Sequence, residues 1–192
     1  MRVLAVSVGQ PAGVTALDAH GREHIVVTGI YKAPVDGPVY VRSWGLENDG
    51  QADTRVIKGR QVHGGLDKAV YIYPAAHYSL WRAELSADAV PGYGHFGENL
   101  SVEGIHETTT RVGDTLAIGE VLLQVTTPRG PCYKLDIRMG IPEFRHRMTE
   151  TGRTGFYCRV LTEGHVKAGD PVVLRSSDAS APTILEYHRA NG

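Results

Sequence analysis

The stretch Val121-Leu122-Leu123-Gln124-Val125-Thr126-Thr127-Pro128-Arg129-Gly130-Pro131-Cys132-Tyr133-Lys134 changes character halfway along. Val121 to Thr127 alternates apolar and polar positions and is rich in β-branched residues, which predicts a half-buried strand. Pro128 and Pro131 cannot donate to a sheet ladder, so the strand must end in a stiff loop that presents Cys132. Arg129 lies before the thiol and Lys134 after it, and both cations favour thiolate over thiol. A thiolate placed so can act as a nucleophile, a persulfide carrier or a soft-metal ligand. A buried cysteine serving only as a small hydrophobe is the plain alternative, and polar, cationic neighbours argue against it.

The rest of the chain fits a turn-rich β protein. Its 192 residues are enough for one domain with a true core, and 42% hydrophobic with 21% charged residues is ordinary globular composition. Glycine (23) and proline (10) are frequent, which favours short strands over a helical bundle. The net charge of −1, without a basic run, argues against nucleic-acid binding. No apolar run reaches membrane-spanning length, and Cys132 and Cys158 are the two cysteines of the chain, so a reducing cytoplasm is the expected location.

Strands are predicted over 2–8, 23–30, 39–42, 70–73 and 156–161, with helices near 75–85 and 143–150. Together with the glycine-bounded segments around 100–102, 115–118 and 172–174, this gives about eight or nine short strands in one domain, arranged as a mixed, barrel-like sheet. That domain should cover residues 1–176, with 177–192 a short peripheral tail. Alternation from Phe156 puts Cys158 on the core face, opposite Tyr157 and Arg159.

Loops at one rim of such a sheet would carry the site. Lys32 precedes Ala33-Pro34 on an extended segment. His63 stands before Gly64-Gly65, with Asp67 and Lys68 close behind, although paired glycines also mark plain turns. Arg129, Arg153 and Arg159 supply planar cations suited to a phosphate. Glu98 and Asn99 stand at a strand entrance, where fixing a loop is the simpler role.

The motifs His63-Gly64-Gly65-Leu66-Asp67-Lys68-Ala69-Val70, Phe96-Gly97-Glu98-Asn99-Leu100, Pro128-Arg129-Gly130-Pro131-Cys132 and Gly152-Arg153-Thr154-Gly155-Phe156-Tyr157-Cys158-Arg159-Val160-Leu161 occur in this order. Each is weak alone. As an ordered set, with Lys32-Ala33-Pro34-Val35 and Asp49-Gly50-Gln51-Ala52-Asp53, they resemble the MOSC domain and, within it, the bacterial YiiM-like branch. The resemblance spans roughly residues 2 to 175 and implies a mainly β, barrel-like domain that binds the molybdenum cofactor (molybdopterin).

The same resemblance implies that Cys132 is the molybdenum ligand or the sulfur-handling residue. The implied activity is reduction of N-hydroxylated compounds such as hydroxylaminopurine bases and amidoximes. Arg129, Arg153, Arg159 and Asn99 become the candidates for holding the cofactor, and His63, Lys68 and Lys32 for donating a proton. No flavin, haem or iron–sulfur signature is visible, so the expected partners are the small-molecule substrate and an external electron-donor reductase; a homodimer stays open. YiiM-like proteins often carry a small helical C-terminal extension, which this chain is expected to lack. The alternatives are a sulfur or cofactor carrier using a Cys132 persulfide without redox turnover, and a small-anion binder.

Overall fold

A computed structural model describes residues 1–18, 20–50, 56–57, 60–61 and 64–191. The strands are β1 (Arg2–Val8), β2 (Ala12–Leu17), β3 (Glu23–Thr28), β4 (Ala33–Pro34), β5 (Val39–Arg42), β6 (Gly45–Leu46), β7 (Val56–Ile57), β8 (Arg60–Gln61) and β9 (Val70–Pro74). Helix α1 (Ala76–Glu84) follows, then β10 (Leu100–Glu103), β11 (Thr115–Ile118) and β12 (Val121–Pro128). The chain closes with α2 (Tyr133–Met139), α3 (Phe144–Thr151), β13 (Phe156–Thr162), β14 (Gly164–Val166), β15 (Val172–Ser176) and α4 (Ile184–Asn191).

The main sheet has the order β15-β11-β12-β13-β9-β10-β1-β4. It is mixed: β9 and β10 run parallel, and the other neighbours antiparallel. The protein is therefore mainly β, as its turn-rich sequence predicts. The order ends at β15 and β4, and among the described residues no ladder joins those two strands, so a closed barrel is not found. The start of β15 nevertheless reaches back to the N-terminus: Val172 donates to the Met1 carbonyl at 2.9 Å, Val3 donates to that of Asp170, Gly169 donates to that of Val3, and Arg2 bridges Pro171.

Alternation in β9 divides the interior. Val70 and Ile72 enter one apolar cluster with Val3, Val6, Leu100, Leu123, Val125, Phe156 and Cys158. Tyr71 and Tyr73 point the other way, into a second cluster with Tyr78, Trp81, Phe96, Leu135, Phe144 and Met148. Helices α1, α2 and α3 supply most of that second layer. Each large side chain fully buried there contributes about 1.5–3 kcal/mol.

The Val121–Thr127 strand is found, with Val121, Leu123 and Val125 inward, and it continues to Pro128. Helix α2 is an addition to the sequence reading. Leu135 and Met139, four apart, both turn inward, and Gly140 ends the helix at φ 64°. The segment expected to be a peripheral tail contains α4, whose Ile184 is fully buried. No helix among the described residues is long and apolar enough to cross a membrane.

Candidate functional site

Strand register places Tyr71 of β9 opposite Tyr157 of β13, with ring centres 5.3 Å apart. Arg129 follows the end of β12, and its backbone N–H extends the ladder to the Gly155 carbonyl at 3.1 Å. Its side chain is buried, with the guanidinium 5.3 Å from the Tyr71 ring centre and 3.3 Å from the Met148 sulfur. Burial raises both phenols above their ordinary range although the Arg129 charge opposes it, so Tyr71 and Tyr157 stay neutral. Among the described residues no carboxylate pairs with Arg129. A guanidinium stays protonated at any workable pH, so the fold keeps a buried positive charge facing two aromatic rings.

Cys132 sits beside this cation, close enough for the two groups to couple electrically. It is partly buried and extended, at φ −118° and ψ 171°, just before α2. Cys158 is different. It is fully buried on the core face, where burial pushes its thiol far up, as the alternation of β13 predicts.

Loop 153–155 holds the aromatic wall. Tyr71 donates its hydroxyl proton to the Thr154 carbonyl at 2.7 Å, and Tyr73 donates to that of Arg153 at 3.1 Å. Gly155 turns the chain at φ +64°, where an added Cβ would lie 2.5 Å from the Ile72 carbonyl oxygen. Lys68 ends a short 3-10 turn, Leu66–Lys68, with its ammonium 6.0 Å from the Tyr157 ring centre. Cys132, Arg129 and Lys68 are thus brought to one aromatic pair.

The other expected site residues are placed differently. His63 and Gln51-Ala52-Asp53 lie outside the described residues. Lys32 is buried and paired with Asp49, the two side chains being 5% and 4% exposed. Burial pulls its ammonium below the usual lysine range, with Asp49 opposing. Asn99 bridges outward from that pair: its amide donates to Asp49 at 2.9 Å and to the Ser7 carbonyl at 3.3 Å, and its oxygen accepts from Tyr71 N–H at 3.0 Å. Its side chain is thereby committed to fixing the strand that carries Tyr71. Arg153 pairs with Glu84 at 2.5 Å and lies over Trp81, and Arg159 pairs with the exposed Asp67 at 2.9 Å.

Tyr71 and Tyr157 are the residues that sequence reasoning passed over as site components. The signal was present in the period of β9, which sets Tyr71 and Tyr73 on one face. A second anchored centre is Glu98, which accepts from Gly94 N–H, Phe96 N–H, Ser101 Oγ–H and Tyr78 O–H.

A mixed sheet thus brings a thiol and a buried cation, without a carboxylate partner among the described residues, to the end of one strand. The chain belongs to the MOSC domain family, whose model matches residues 59–173, a class associated with molybdenum-cofactor binding. Its YiiM-like character is shown by 39% identity to Protein YiiM of Escherichia coli over 77% of this chain and 63% of that protein. The crystal structure of YiiM from Geobacillus stearothermophilus agrees, with TM-score 0.74 and 30% identity, covering 100% of this chain and 86% of that one. A protein of Gibberella moniliformis called Reductase is 36% identical over 85% of this chain, which spans 28% of that much longer protein.

Proposed function

We propose that this protein is a molybdenum-cofactor-dependent reductase of N-hydroxylated compounds, with Cys132 as the metal ligand. The observation that carries the reading is the buried Arg129 charge over the Tyr71 ring, electrically coupled to Cys132 and without a carboxylate partner among the described residues. A buried cation of this kind is costly unless an anion answers it. A thiolate together with the anionic part of a pterin cofactor meets that need, and sulfur suits the metal. The donor set therefore fits the group that the family implies.

When bound, the cofactor supplies the electron pair for breaking the N–O bond. Arg129 fixes its negative charge, and Cys132 ligates the metal. The partly buried Tyr157 offers its ring to a heteroaromatic base, and Tyr71 backs it from within the core. The reduction consumes two protons: Lys68, beside the Tyr157 ring, delivers the one with which the oxygen leaves as water, and the nitrogen takes the other from solvent. His63 keeps the same proposed role, and Lys32 is assigned to holding Asp49 rather than to proton transfer. Electrons come from an external reductase.

The test is anaerobic loading with molybdenum cofactor, followed by metal analysis and reduction of hydroxylaminopurine by an artificial donor. Stoichiometric molybdenum with turnover, both lost in Cys132→Ser, is the expected result. Metal without turnover would favour a carrier role, and no retained metal would overturn the reading altogether.

A further inference from the structure

A second constellation lies apart from the thiol, where the first turn of α1 meets the chain just after β10. His77, His106 and Glu107 place their ligand atoms within 4.8 Å of one another. His77 Nε2 is 2.8 Å from Glu107 Oε2, and His106 Nδ1 is 3.9 Å from the same oxygen. The His77 and Glu107 side chains are 1% exposed, whereas that of His106 is 44% exposed. Among the described residues this is the one such group of His, Cys, Asp or Glu.

We propose that His77, His106 and Glu107 form a site for a divalent transition ion of the zinc class, independent of the cofactor site. Two imidazoles and one carboxylate are a donor set that zinc takes, with bonds of about 2.0–2.2 Å and a fourth position left to water or an outside ligand. His77 Nε2 and Glu107 Oε2 are already as close as two ligands of one ion, and His106 Nδ1, 3.9 Å from that oxygen, reaches the ion by rotation of its half-exposed ring, giving up its contacts with Thr108 at 2.9 and 3.2 Å. The ring lies edge-on to His77 with centres 5.1 Å apart, so it is already over the pair.

His77 sets the protonation of the site. Among the described residues its buried Nδ1 has no hydrogen-bond partner, so the ring proton sits on Nε2, where Glu107 accepts it at 2.8 Å. A cation bound there takes that proton's place, with the imidazole lone pair and the carboxylate both turned to it, and its uptake releases a proton.

The position has a structural consequence. The other oxygen of Glu107 accepts from Gly155 N–H at 2.8 Å, and Gly155 adjoins the Thr154 carbonyl that holds Tyr71. A metal here ties α1 to the loop behind the cofactor wall.

Zinc titration against a chromophoric chelator, using the full chain with Cys132→Ser so that no thiolate competes there, tests this. One zinc per chain is expected, with a melting temperature that rises on zinc addition. His106→Ala, a change at a half-exposed position, should weaken binding at least tenfold and abolish the thermal shift. Cobalt should give the strong visible bands of four-coordinate geometry in the Cys132→Ser protein, and lose them in the double variant. No stoichiometric zinc uptake, or equal affinity after His106→Ala, would overturn the proposal. Because Cys132 is absent throughout, neither result depends on the reductase reading.

Discussion

Arg129 and Tyr71 are held as one unit: the guanidinium lies 5.3 Å from the ring centre, and the Tyr71 hydroxyl is anchored 2.7 Å from the Thr154 carbonyl. The cation is thus set against a wall whose orientation is fixed from behind. Replacing Arg129 separates function from stability. Arg129→Met keeps much of the bulk but gives up the contacts with Tyr71, Tyr157 and Met148 that offset the burial of the charge. Its melting temperature should fall by only a few degrees while molybdenum content collapses. Arg129→Lys keeps charge but loses the planar stack, and should load cofactor about tenfold less well. Elemental analysis beside thermal unfolding would decide, and a Met variant with normal metal content would remove Arg129 from the site.

Arg153 offers the opposite contrast. Its partners are Glu84 and Trp81, not Cys132. Arg153→Ala should cost about 1 kcal/mol or less of stability, through the cation–ring contact and a partly exposed ion pair. Molybdenum loading should stay within about twofold of the parent, the scatter expected when no direct contact is lost. A loss as large as that of Arg129 variants would return Arg153 to the cofactor.

How much of this could be read beforehand depended on the range of the interaction. Alternation in Val121–Val125 and Phe156–Val160 is a local property, so those strands and the core position of Cys158 were legible. Helix α2 was not, because a seven-residue helix after Pro131 shows little periodicity and is fixed by Leu135 and Met139 entering a core built elsewhere. Helix α4 did leave a mark. Thr183 and Glu186 exchange reciprocal backbone contacts at 2.8 and 3.2 Å, the capping box that the sequence Thr183-Ile184-Leu185-Glu186 spells. Which arginine would be buried was not legible, since Glu84 and Asp67 claim Arg153 and Arg159 from distant or solvent-facing positions.

The Lys32–Asp49 pair carries its own prediction. Asp49→Asn leaves a buried ammonium without its counter-charge and should cost about 3–5 kcal/mol. Lys32→Met with Asp49→Leu removes both charges but also the acceptor of the Asn99 amide and of Gly9 N–H, and should recover only part of that loss. Urea unfolding of the single and double variants measures the coupling. Additive losses would mean that the two side chains do not act as a pair in solution.

Glu98 gathers its donors from Gly94, Phe96, Ser101 and Tyr78. Glu98→Gln turns one acceptor into a donor that faces other donors, with water excluded. The expected loss is about 2–4 kcal/mol, the range for a buried hydrogen-bond mismatch at a charged acceptor. The variant should also lose ordering at Tyr78, visible as a weaker near-ultraviolet circular dichroism signal. Unchanged stability would place Glu98 in a wetter setting than its 0% exposure describes.

His95 predicts a pH dependence. It is 7% exposed, and neither ring nitrogen has a hydrogen-bond partner. Burial, helped by the Arg138 charge, lowers its pKa from 6.5 to about 4. Between those values the unfolded chain binds the proton and the folded chain resists it. The stabilising contribution is therefore complete above the unfolded pKa and is lost as pH falls through the folded one. At most about 3 kcal/mol is at stake, and about 2 kcal/mol should disappear between about pH 7.5 and about pH 5. His95→Phe keeps an aromatic ring beside Phe96 and loses only a weak interaction with the Ala89 backbone. It should match the parent near neutral pH and exceed it in mild acid, so urea unfolding at both pH values is the decisive measurement. Parallel losses in the two proteins would show that the acid sensitivity belongs to other groups.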